Sequence, residues 1–67
     1  MTRHQALQLL LARRIPDDVA SIEATLRAIT ARLDAAIGTE EYEQAHQRID
    51  ELLTARERVT VRDEILV

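Results

Sequence analysis

Six apolar residues, Val19, Ile22, Leu26, Ile29, Leu33 and Ala36, recur at alternating spacings of three and four. A strand repeats every two residues and cannot keep such a row on one face. An α-helix can, and so regular a row is the seam by which one helix packs on another. The seam predicts a long helix over residues 17–37 that needs a neighbour along its whole length. The single Pro and single Gly of the chain stand where the seam stops, Pro16 before it and Gly38 after it. Asp17 or Asp18 can cap the helix, since a carboxylate there accepts an unpaired N–H and suits the positive end of the helix dipole. Gly38 sits at the position just past a helix, where the left-handed conformation is free of a Cβ clash. Ile37 is expected to extend the apolar stripe into the last turn, and Ala20, Ala24, Ala28, Ala31 and Ala35 to flank the seam and permit close approach.

The two breakers leave one segment on each side. Residues 2–14 read as a short leading helix, with Thr2 and Gln5 spaced as a capping box and Arg13 and Arg14 in its last turn. Ile15 precedes proline and is pushed out of helical geometry. Residues 40–64 read as a second long helix, with Thr39 as its N-cap and Glu40 and Glu41 in its first turn. Its seam is Tyr42, Ala45, Ile49 and Leu52, interrupted by Arg56 and resumed at Val59. A connection as short as Gly38-Thr39 makes the two long helices antiparallel neighbours. The expected fold is all-α, an antiparallel helical hairpin of two long helices preceded by a short N-terminal helix, in a single domain over 1–67.

Such a hairpin has little core of its own. Nineteen residues are Leu, Ile or Val, but Tyr42 is the only aromatic residue and there is no Cys. The large buried areas that rings supply are missing, and so are disulfides and thiolate metal sites. Small chains of this kind commonly gain stability by association. Two stripes cover each other in a hairpin, and Leu7, Leu9, Leu10, Leu11 and Leu53, with the C-terminal Ile65-Leu66-Val67, would still leave apolar surface exposed. Leu7, Leu10, Leu11, Leu53 and Val59 are therefore expected to face a partner, whereas Ile22, Leu26, Ile29, Leu33, Tyr42, Ile49 and Leu52 form the seam. The tail Ile65-Leu66-Val67 is either docked or frayed.

The chemistry-bearing residues are sparse. Nine basic residues, all Arg, face twelve acidic ones, giving a net charge of -3. That balance does not suit a sequence-independent nucleic-acid binder. The longest apolar run, Leu9 to Ala12, is too short to span a bilayer. Glu43 and His46 form a Glu-x-x-His element of the kind that ligates metal in some bundles; Asp34 across the turn would lie near Glu43, and a dimer of hairpins would then assemble the site. Both Glu43 and His46 flank the seam rather than lie in it, so a solvated helix face is the plainer reading, and no metal or cofactor is expected. His4 stands alone and reads as a surface residue. Leu7-Gln8-Leu9-Leu10-Leu11 fits an L-x-x-L-L docking pattern that any leucine-rich turn also fits. Arg56 either pairs with Glu23 or lays its stem along the seam with the guanidinium in water. No nucleophile–base set and no phosphate-binding glycine loop is present, and an enzyme is not expected.

Two resemblances add to this reading. The leucine-rich opening Leu7 to Leu11, the seam from Val19 to Leu33 and the turn Gly38-Thr39-Glu40-Glu41-Tyr42 are similar in order and spacing to the small co-chaperones of type III secretion needle subunits. That resemblance implies a cytoplasmic, non-catalytic protein that binds a helical-repeat chaperone and with it keeps a needle subunit unpolymerised. Locally, Tyr42-Glu43-Gln44-Ala45-His46-Gln47-Arg48-Ile49-Asp50-Glu51-Leu52 resembles the second helix of the helical-hairpin motif shared by the UvrB and UvrC repair proteins. Here Arg48-Ile49 stands where that motif has a Leu-Arg pair, and the likeness implies protein docking. The alternatives are a self-associating hairpin with a structural or regulatory role and, third, a metal-binding helical bundle.

Overall fold

The computed structural model describes residues 2–66; Val67, the last residue of the apolar tail, lies outside them. The described residues are helical throughout apart from the connections. Helix α1 spans Arg3–Ala12, α2 spans Val19–Arg32 and continues as a 3-10 turn over Leu33–Ala36, and α3 spans Glu40–Leu66. At 1.5 Å per residue, α3 is about 40 Å long, and the molecule measures 43 × 20 × 16 Å. One helix therefore sets the length of the whole body. The chain exposes 4873 Å² for its 7.6 kDa, against about 4,300 Å² for a compact monomer of that mass.

The caps form where the residue types favour them. Thr2 N–H donates to Gln5 Oε1 at 2.9 Å and Gln5 N–H donates to Thr2 Oγ1 at 3.1 Å, a reciprocal capping box. The carboxylate of Asp18 accepts from Ser21 N–H at 2.8 Å and opens α2. Gly38 takes φ of 83°, the left-handed value that its missing Cβ permits. The Thr39 hydroxyl donates back to the Ala36 carbonyl at 2.7 Å, and the Thr39 carbonyl accepts from Tyr42 N–H at 3.2 Å. Thr39 thus closes the turn on the α2 side and begins α3 on the other.

Three boundaries differ from the sequence expectation. Helix α1 stops at Ala12, before Arg13 and Arg14, and Arg13 is extended. The Leu11 carbonyl, left without an intrahelical donor, accepts from Arg48 Nη2 on α3 at 3.0 Å. Helix α2 tightens to 3-10 winding after Arg32, at the place where the Arg3 guanidinium takes the Ala31 carbonyl and the Asp34 carboxylate, each at 2.5 Å. That winding brings Ala36 into the core but leaves Ile37, already non-helical, 67% exposed. Ile37 therefore does not extend the stripe. Helix α3 stays regular through Val59-Thr60-Val61, with the Thr60 hydroxyl bonded to the Arg56 carbonyl at 2.8 Å, and reaches Leu66.

The core follows the seam. Ile22, Ile29 and Ala36 from one long segment meet Ala45, Leu52 and Val59 from the other, and Leu7 of α1 completes the buried cluster. Val19, Leu26, Leu33, Tyr42 and Ile49 pack half-buried around it. Ala20, Ala24 and Ala31 are exposed. Helix α1 packs on both α2 and α3 but is only about 15 Å long, and its partners on α3 are Glu41 and Arg48, in the first half of that helix. The second half of α3 has no α1 beside it.

Candidate interaction surface

Of the five residues expected to face a partner, the structure turns two fully inward. Leu7 is completely buried and Val59 nearly so, both within the intramolecular cluster. Leu10 and Leu11 are half-buried and pack against the same cluster. Leu53 alone remains open, at 40% exposure. The physical reason lies in α1. Ten residues with leucines on several sides can close the groove between two longer helices, and Leu7 fills it. Leu7, Leu10 and Leu11 therefore serve the fold, and Val59 does so as a member of the α3 seam.

A ring of polar contacts holds α1 in place around that leucine. Arg3 grips Asp34 through both guanidinium nitrogens, at 3.0 and 2.5 Å. Gln8 Nε2 donates to Glu41 Oε1 at 2.9 Å. His4 Nε2 is shut off from solvent without a hydrogen bond among the described residues, and the second Glu41 oxygen lies 3.5 Å from it. These contacts shift the carboxylates. The Gln8 amide, followed by the backbone N–H of Glu41 itself, lowers the Glu41 carboxyl from 4.5 to about 2. The Arg3 hydrogen bond holds the Asp34 carboxyl below its ordinary value, and the Ser21 backbone N–H does the same for Asp18.

Asp34, expected near Glu43, is engaged by Arg3. His46 lies edge-on to the Tyr42 ring, with centroids 4.7 Å apart. Among the described residues no group of three His, Asp or Glu side chains stands close enough together to hold a metal ion. Arg56 is exposed and, among the described residues, forms no ion pair with Glu23.

The open apolar surface lies instead on the second half of α3. Val61 is half exposed, and Ile65 and Leu66 are 77% and 76% exposed. Thr54, Arg58, Val61, Ile65 and Leu66 line one shallow hollow along this stretch. Their spacings of four, three and four place most of them on a single helix face, away from Ala45, Leu52 and Val59. The sequence carried a signal for this face. Val61 and Ile65 stand four apart and both fall outside the Tyr42-to-Val59 seam, so they cannot point where the seam points. No helix among the described residues is long and apolar enough to cross a membrane. No family model, curated protein or solved structure matches the chain.

Proposed function

We propose that the protein is a non-catalytic protein-binding module in which α2 and α3 form an antiparallel hairpin, α1 braces the closed end, and the second half of α3 docks a partner. The hairpin arrangement is supported at both ends. Gly38 turns the chain within two residues, and far from that turn Arg62 Nη2 donates to the Asp17 carbonyl, just ahead of α2, at 3.3 Å. The observation that carries the docking function is the exposure of Val61 and Ile65 on the face of α3 away from the core, with Leu66 also exposed at the end of the helix. Three large apolar side chains gathered at one end of so small a body mark an interaction site.

In its specific form the proposal is a cytoplasmic co-chaperone of a type III secretion needle subunit, acting by binding a helical-repeat chaperone. The order of the leucine-rich opening and the heptad seam supports this form, and an exposed amphipathic helix face suits the concave surface of a helical repeat. The mass of the purified protein, alone and mixed with such a chaperone, tests it. A monomer that forms a stoichiometric complex is expected. A tight homodimer with no affinity for the chaperone would overturn the co-chaperone reading and leave the self-associating hairpin.

A further inference from the structure

The distal face of α3 has a charge pattern as well as an apolar one. Glu51, Thr54, Arg58, Val61 and Ile65 follow one another at spacings of three, four, three and four, and all five are exposed. They form a second seam, on the side of α3 opposite the core. Beside it, at intervals of seven, stand Asp50, Glu57 and Glu64, all exposed. Among the described residues none of these three carboxylates lies within ion-pair distance of a cation. The other flank is held by the protein itself. Arg48 donates to the Leu11 carbonyl at 3.0 Å and stands 3.5 Å from Glu51, and Arg62 contacts the Asp17 carbonyl and Asp63. The free side of the seam is therefore acidic, and the basic side is engaged.

This pattern opposes a second copy as the occupant. In an antiparallel pair of α3 helices along this seam, like flanks meet, so each acidic row would face another acidic row. In a parallel pair, matching seam positions meet, so Arg58 would face Arg58 and Glu51 would face Glu51. Like charges set opposite each other on neighbouring helices are destabilising. Resting on the docking reading above, we infer that the distal face of α3 takes an amphipathic helix of a different protein, apolar along the Val61–Ile65 seam and basic on the side that meets Asp50, Glu57 and Glu64. The exposed ion pairs select the partner and its orientation, and the buried apolar side chains hold it.

Two fluorescent synthetic peptides test this, each an amphipathic helix of three heptads with leucine in the seam, one flanked by lysines and the other by glutamates. Binding to the full-length protein is read by fluorescence anisotropy at low and high salt. The lysine peptide is expected to bind about tenfold more tightly at low salt, the difference shrinking as salt screens the exposed pairs. The triple variant Asp50→Asn, Glu57→Gln, Glu64→Gln should abolish the preference with unchanged circular dichroism, and Ile65→Asp should weaken both peptides. Equal binding of the two peptides, or a preference that survives in the triple variant, overturns the charge selection and leaves the docking face standing. No binding of either peptide overturns both. A dimer of the free protein that Ile65→Asp dissociates would make a second copy the occupant and refute the inference.

Discussion

Leu7→Ala separates the two roles that the leading helix can play. The side chain is completely buried in the cluster that α1 shares with α2 and α3, so its removal leaves a cavity in that core. Leucine-to-alanine changes at such sites cost about 2–5 kcal/mol. A chain of 67 residues has a total stability of roughly 3–10 kcal/mol at ordinary values per residue. The substitution thus removes about half of the total. In a domain of this size each kcal/mol moves the melting temperature by about 4–8 °C, so a fall of roughly 8–40 °C is expected. Leu9→Ala is the matched control, two residues away on the same helix with its side chain 53% exposed. It should change stability by no more than about 0.5 kcal/mol. Thermal melts followed by far-ultraviolet circular dichroism read both. If Leu7→Ala melts where Leu9→Ala does, α1 is not docked through Leu7, and that leucine is free to face another protein.

Further predictions concern the turn, the polar ring and metal. Gly38→Ala should cost about 1–2 kcal/mol in urea unfolding, through the backbone alone, because φ is 83° and no atom lies within 4 Å of the added Cβ; an unchanged midpoint would contradict the left-handed turn. The folded-state carboxyls of Glu41, Asp34 and Asp18 all lie below their ordinary values, so their contribution is complete above about pH 5 and is lost on acidification through the folded values. The melting temperature should therefore hold from neutral pH to about 5 and fall from there toward pH 2, less steeply in Gln8→Ala. A rise on acidification would contradict the geometry around Glu41. Zinc or ferrous iron at stoichiometric concentration should leave the melt unchanged, since Asp34 is committed to Arg3; a clear stabilisation would restore the metal-binding alternative.

The periodic features were legible in the chain. Spacings of three and four located α2 and most of α3. Thr2–Gln5, Asp18 and Gly38 marked ends that the structure places within two or three residues of expectation. What periodicity does not encode is which of several leucines on a short helix points into a groove formed by two others. Leu7 belongs to the core for that reason and Val59 because it continues the α3 seam, and of the five only Leu53 keeps the exposure that docking requires. The 3-10 ending of α2 was equally hidden, because Arg3 meets Ala31 and Asp34 across nearly half the chain. The distal face of α3 was legible in principle. Val61 and Ile65 stand four apart, but two apolar residues are too few to mark a face by periodicity alone.

The central claim is that the second half of α3, not the leucines of α1, contacts the partner. Purification of the tagged chain from its native cell, beside the Val61→Asp/Ile65→Asp and Leu9→Asp variants, tests this directly, with the retained proteins quantified by mass spectrometry. A helical-repeat protein should be retained by the native chain and by Leu9→Asp, and lost with Val61→Asp/Ile65→Asp while the circular dichroism spectrum stays helical. Equal retention by all three, with the fold intact, would contradict the account and place the docking surface elsewhere on the molecule.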